Sequence, residues 1–269
     1  KKFYGALLLG SACPEEQLWR ACQDKEYFEK CVSPPTFKCS QAEFVEFIIQ
    51  ANKHQPNQIN INAQNGAEKL FTALTYACLA GSNEVVSLLL KHGASPLISD
   101  NRGHTPFVYA VLRLPDSKPA CRYLLKAGAN INEKDQDGLS PLMHACRLEK
   151  LDSVSFLLMY GAVVDQVDDN GNTALMKVAG LTLPRGLQIV HRLLRQNASL
   201  TRTNNDGWNA MMFAAFAGND DIVQIFLDNG SPVNQKSISD WTTALFWSAN
   251  NGHTRCCELL LRCTYEPAH

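Results

Sequence analysis

The chain has 269 residues, 45% of them hydrophobic, and a formal net charge of −1. That is enough apolar material for a continuous core, and too little net charge to draw nucleic acid or an acidic membrane surface through a long-range field. The ten cysteines (Cys13, Cys22, Cys31, Cys39, Cys78, Cys121, Cys146, Cys256, Cys257, Cys263) include no C-x-x-C spacing, and are read as small buried hydrophobes rather than a disulfide framework.

The opening segment, Lys1 through Cys13, has the outline of a secretion signal: a charged start, a short apolar run and small residues before a cysteine. The run is very short for that role, and the expectation is a packed terminal helix of a chain cut from a longer one. Elsewhere no apolar run approaches the length of a membrane span, so no membrane insertion is expected. Residues 14–31 place apolar side chains at helical intervals behind Glu15 and Glu16, which predicts an amphipathic helix ended by Ser33-Pro34-Pro35. A second helix is predicted from about Ser40 to Asn52, with Phe44, Val45, Phe47, Ile48 and Ile49 on its apolar face. Ile59-Asn60-Ile61-Asn62 then echoes Asn130-Ile131-Asn132 further on. Together these make residues 1–56 a degenerate leading repeat or helical cap.

From Asp100 the chain spells a unit that recurs. Asp100 to Gly103 frames a tight turn, Thr105 sits where it can cap a helix, Pro106 fits the first helical position, and a leucine-rich second helix stops at Gly128. The capping position recurs at Thr72, Thr105, Ser140, Thr173, Asn209 and Thr243, separated by 33, 35, 33, 36 and 34 residues. The stop recurs at Gly93, Gly128, Gly161, Asn197 and Gly230. With six copies in order and spacing, the chain resembles the ankyrin-repeat family over residues 60–263, the family period being about 33 residues. The resemblance implies an all-α solenoid of helix-turn-helix pairs with short β-hairpin-like fingers, behind the N-terminal helical cap. Its repeats would span about 57–98, 99–133, 134–166, 167–202, 203–236 and 237–269.

Several positions depart from the family pattern. Where it places histidine, this chain has Thr75, Val108, Met143, Met176, Met212 and Phe246, and apolar packing is expected to replace the usual hydrogen bonds between repeats. Repeat one has an insertion between Gly66 and Thr72, and repeats two and four have longer loops between their helices, Leu114 to Pro119 and Leu183 to Gly186. Repeat six puts Asp240 at the turn-glycine position and runs through Cys263 without a glycine stop.

No phosphate loop, G-x-S-x-G elbow or H-E-x-x-H occurs. Asp135-Gln136-Asp137-Gly138 imitates the start of a calcium loop, but its twelfth position, counted from Glu133, is His144, which cannot be a bidentate carboxylate. His253, Cys256 and Cys257 lie near one another without the second matched pair a zinc site needs. The expectation is a protein that is not an enzyme and takes no cofactor or metal.

What the resemblance implies is protein recognition on a concave side formed by fingers and first helices. On that geometry Phe71, His104, Leu139, Asn172, Trp208 and Thr242 line one strip just before the caps, continued by Leu112, Arg113, Arg147, Leu148, Leu181, Phe216 and Asn250. The candidate contact residues are Trp208, Phe216, Trp241, His104, Leu139, Asn172, Arg113 and Arg147, with Asp137 and Asp169 from an acidic finger rim made of Glu133, Asp135, Asp137, Asp165, Asp168 and Asp169. Phe213 and Trp247 fall in a row expected to pack between repeats. The leading reading is a cytoplasmic scaffold or adaptor, with the nucleus also open, binding a protein or peptide. The alternatives are the ankyrin targeting portion of a larger modifying enzyme or pathogen effector and, third, a nucleotide- or nucleic-acid-binding array, which acidic fingers would oppose.

Overall fold

The computed structural model describes residues 14–23, 40–52, 59–66, 69–182 and 184–265. The segment through Cys13, the first helix past residue 23, the Ser33-Pro34-Pro35 break, Cys31, Cys39 and Leu183 lie outside them. The described residues hold fourteen helices, and their β pairing is a single antiparallel bridge between Val167 and Thr173. The chain packs as two units, Lys1–Gln136 and Asp137–His269.

In the first unit α1 (Pro14–Gln23) and α2 (Gln41–Asn52) precede two helix pairs, α3 (Ala73–Ala80) with α4 (Asn83–Lys91) and α5 (Pro106–Leu112) with α6 (Lys118–Lys126). First helices stack on first helices and second on second: α3 on α5, α4 on α6. The leading pair joins the same stacks, with α1 against α3 and α2 against α4. Polar ties hold it there, since Gln41 donates to the Ala21 carbonyl at 2.8 Å and accepts from the Ser82 hydroxyl at 2.8 Å.

The second unit repeats the scheme four times: α7 (Pro141–Arg147) and α8 (Leu151–Met159), α9 (Ala174–Ala179) and α10 (Gly186–Leu194), α11 (Ala210–Ala217) and α12 (Asp220–Asp228), α13 (Ala244–Asn250) and α14 (Thr254–Tyr265). Alanines and cysteines on the first helices, such as Ala145, Cys146, Ala179, Ala214 and Ala215, are fully buried and let neighbouring backbones approach. Phe156, Leu157, Val190, Leu193 and Phe226 fill the layer between second helices. The thiols of Cys22, Cys78, Cys121, Cys146 and Cys256 are buried and free. Burial pushes those of Cys121 and Cys256 up to about 12, so they stay protonated and pack as small hydrophobes.

All six capping residues occupy N-cap positions with extended backbone. Five accept the N–H three residues on; Thr105 does not, and its buried Oγ1 has no partner among the described residues. The N–H of Val108 bonds the Thr105 carbonyl instead, at 3.1 Å. Each second-helix stop is left-handed, from φ 58° at Asn197 to 94° at Gly128. The residue after it reaches back five positions, as in Ala162 to the Leu157 carbonyl at 2.9 Å, which is the Schellman closure.

Two readings of the turns need correction. In repeat six the turn-glycine position is held by Trp241, φ 59°, and not by Asp240; in repeat one it is held by Leu70, φ 53°. Both stand two residues before their caps, Thr243 and Thr72, as Gly103 does before Thr105 and Gly138 before Ser140. At the family's histidine position Thr75, Val108, Met143, Met176 and Met212 are buried, whereas Phe246 is exposed. Hydrogen bonds between repeats come instead from the turn after the first helix: Asn219 donates to the Ala179 carbonyl at 2.7 Å, Asn251 to the Phe216 carbonyl at 2.9 Å. In repeat two the longer loop is pinned rather than loose, because Asn83 donates to the Asp116 carbonyl and accepts from Ala120 N–H.

Candidate partner-binding surface

Three of the fingers are closed by a buried side chain at the base, Asp100, Asp168 or Asn204. Asp168 Oδ1 accepts the N–H groups of Asn170 at 3.0 Å and Asn172 at 2.7 Å, and Asn204 does the same for Asp206 and Trp208. Asp100 serves Arg102 and His104 in the first unit. Burial alone would push the Asp168 carboxyl up, but the Lys177 ammonium at 2.6 Å and the Asn172 backbone and side-chain donors hold it below the usual carboxylate range. Asp165 accepts the Ser199 N–H. The acidic rim is therefore thinner than the sequence reads. Asp165 and Asp168 are spent on the fold; Asp137 and Asp169 are exposed, and Asp169 accepts the Asn205 amide through its own carbonyl.

The finger base fixes Trp208 just before its cap, and there the second unit gathers aromatic rings. Trp208 lies with its centroid 5.2 Å from Phe213, 5.7 Å from Phe216 and 5.0 Å from Trp247. Phe216 and Trp247 are 5.5 Å apart, and Phe246 is 5.3 Å from Trp247. The indole N–H of Trp247 donates to Thr242 Oγ1 at 3.0 Å, which leaves the cluster no unsatisfied polar edge there. Phe216 is 44% exposed and Phe246 50%, while Trp208 and Trp247 are half-buried. Leu148 and Leu181, at the ends of α7 and α9 as Phe216 is near the end of α11, are also exposed.

Phe213 joins the cluster to a groove of about 270 Å³ walled by Arg147, Asn172, Met176, Lys177, Gly180 and Leu181. Gly180 has an ordinary φ of −82°, so its conformation does not require glycine; a Cβ there would stand 3.1 Å from the Phe213 ring. The Lys177 charge is met by Asp168. Arg147 has only the His144 ring nitrogen at 3.5 Å and no carboxylate partner among the described residues.

The candidate residues thus separate. Trp208 and Phe216 come together as one surface, and Asn172 and Arg147 line the adjoining groove. Leu139 is buried, as are Phe71 and Thr242, because the position before the cap points into the finger base in those repeats. Trp241 does not widen the Trp208 patch: it is 72% exposed at the sixth finger, under the Lys236 ammonium at 5.4 Å. His104 is half-buried between Asp100 and Asp135, 3.5 and 3.3 Å away. The Arg113 guanidinium folds beside Gly81. Phe213 and Trp247, assigned from sequence to packing between repeats, do pack so, and in doing so form the wall of the cluster. Both stand four residues past their caps, and with Trp208 one before its own the adjacency was readable from spacing. His253, Cys256 and Cys257 turn to separate partners: the Phe216 carbonyl, Asp220 and Ser248.

Capped helix pairs, buried finger bases and left-handed stops define an all-α repeat solenoid. The chain belongs to the ankyrin-repeat family: the model described as ankyrin repeats (3 copies) matches residues 37–135, 117–183 and 181–268. It is similar to SH3 and multiple ankyrin repeat domains protein 2 of Homo sapiens, 32% identical over 53% of this chain and 7% of the relative. It is also similar to the ankyrin repeat and KH domain-containing protein mask-1 of Caenorhabditis elegans, 30% identical over 75% of the chain and 7% of the relative. A third relative is the E3 ubiquitin-protein ligase KEG of Arabidopsis thaliana, 35% identical over 43% of the chain and 7% of the relative. The chain spans less than a tenth of the length of each of these three. Ankyrin repeats are in general protein-interaction modules. No described helix is long and apolar enough to cross a membrane.

Proposed function

We propose that this chain is a non-catalytic interaction module that holds a partner protein through the first-helix face of its Asp137–His269 unit. The observation that carries the reading is the aromatic cluster around Trp208. Repeat stacking needs Phe213 and Trp247 but gives no reason for Phe216 and Phe246 to stand exposed beside them, or for Leu148 and Leu181 to extend the apolar row. Contiguous exposed apolar surface of this kind is a mark of interaction sites, and tryptophan anchors them most often. The occupant that fits is a segment with aromatic or aliphatic side chains for the cluster and a carboxylate for Arg147. A second reading, that the module recognises substrates or targets for a larger enzyme, is favoured by the similarity to a ubiquitin ligase whose length this chain spans only to 7%.

The test is site-specific photo-crosslinking in cell extract, with benzoylphenylalanine at Phe216 or, as control, at the exposed Met159 of α8. A partner captured from position 216 only, and lost when Trp208→Ala is added to a chain still folded by circular dichroism, is the expected result. Equal capture from both positions, or capture that survives Trp208→Ala, would sink the reading.

A further inference from the structure

The first unit holds a cavity that the proposed surface does not use. It encloses about 470 Å³ and is lined by Lys69, Phe71, Leu79, Asp100, Arg102, His104 and Tyr109 among others. Its inner wall is aromatic: Phe71 meets Tyr76 and Tyr109 edge-on, each at 5.4 Å. The Tyr109 hydroxyl donates to Asp100 Oδ2 at 2.6 Å, and burial, with that bond, pushes the phenol well up, so it stays neutral. At the mouth stand two exposed cations. The Lys69 ammonium lies 5.7 Å from the Phe71 ring centre, and neither it nor the Arg102 guanidinium has a carboxylate partner among the described residues. The Asp100 carboxylate also lines the cavity, but one oxygen accepts two backbone N–H groups, the other accepts the phenol, and 2% of the side chain reaches solvent.

We propose that this cavity is a subsite for an anionic group, carboxylate or phosphate, carried on an extended partner peptide. Charge selects the anion, since Lys69 and Arg102 line one cavity without a carboxylate partner among the described residues, and the Asp100 carboxylate there is already taken up by its hydrogen bonds. Size and apolar walls select a carrier: the volume falls in the range of ligand pockets and a bare inorganic ion would leave Phe71, Leu79 and Tyr109 uncovered. Backbone donors do not compete for the site, because the N–H groups of Arg102 and His104 are already given to Asp100.

The experiment is an amide-resolved NMR titration of the whole chain with four probes: blocked tripeptides centred on glutamate, phosphotyrosine or glutamine, and inorganic phosphate. The expected result is saturable shifts at Arg102, His104 and Tyr109 with an anionic tripeptide, and affinity for the glutamine tripeptide lower by about tenfold or more. Arg102→Gln and Lys69→Gln, both at exposed side chains, should each weaken the anionic tripeptide by about tenfold, while Arg202→Gln changes nothing. The tighter of glutamate and phosphotyrosine identifies the source of the anion. Trp208→Ala/Phe216→Ala should bind the tripeptides as the wild type does, so the subsite stands or falls separately from the aromatic surface. Equal binding of the glutamine tripeptide, indifference to both cation substitutions, or inorganic phosphate binding as tightly as the phosphotyrosine tripeptide would each overturn the proposal.

Discussion

Glycine serves two different physical needs in this chain, and a single substitution separates them. Gly161 ends α8 with φ 86° and open space where a Cβ would go, so only conformation requires it. Gly138 in a finger has φ 73°, and a Cβ there would stand 2.7 Å from the Asp169 backbone nitrogen. Gly161→Ala should therefore cost about 1–2 kcal/mol, the left-handed penalty alone. Gly138→Ala should cost more by about 1–3 kcal/mol, because the backbone must also shift. Urea unfolding of the two variants checks the ordering. Asp168 supplies a second residue-scale outcome. Its carboxyl is held below the usual range in the folded protein, so its contribution is fully present above the unfolded pKa, about 3.9, and is lost as pH falls through the lower folded value. The stability difference between pH 5 and pH 3 should accordingly be smaller in Asp168→Asn than in the wild type; an unchanged slope would mean that Lys177 and Asn172 do not favour the ionised form. Asp168 as a turn-former was legible in sequence. Its burial was not, because the Lys177 side chain that neutralises it comes from the helix following the finger.

At the scale of the element, caps and stops were legible because they depend on local chemistry: a short oxygen-bearing side chain before a helix, and a residue tolerant of positive φ after it. The structure shows where that legibility ends. Thr105 has the right identity in the right place and makes no capping bond, so Thr105→Val should be close to neutral, whereas Thr173→Val should cost about 1–2 kcal/mol. Thermal unfolding of the pair decides it. Glu149 shows the reverse case, a left-handed residue (φ 53°) at the place where Gly81, Gly218 and Gly252 stand in other repeats. Its carboxylate accepts the N–H of Arg185, at the start of α10, at 2.9 Å. Glu149→Gly relieves the backbone and loses the bond, while Glu149→Ala loses the bond and keeps the strain. The alanine variant should be the less stable by about 1 kcal/mol, and equal stabilities would show that the left-handed turn is unstrained.

For the whole molecule, the governing fact is that, among the described residues, each helix pair makes its main packing against its neighbours within a unit. Stability then divides into repeat terms and interface terms, and damage at an end stays near that end. Leu260, buried in α14, tests this. Leu260→Ala should cost about 2–5 kcal/mol, seen in hydrogen exchange as lost protection in α13 and α14 with α7 largely unchanged. Uniform loss from α7 to α14 would mean that the unit opens as one block.

The repeat number, register, helix pairing and family followed from the sequence by itself, because each repeat carries its own start, stop and apolar face, and six repetitions of a local pattern are hard to mistake. The tertiary structure alone decided which of the residues before the caps are offered outward. Phe71, Leu139 and Thr242 turn inward while Trp208 meets Phe216 and Trp247, since that choice depends on side chains one repeat away, some 35 residues along the chain at the family's period of about 33. It also decided that Lys69 and Arg102 share one cavity mouth. Spacing fixes where a side chain starts; only packing against the next repeat fixes where it ends.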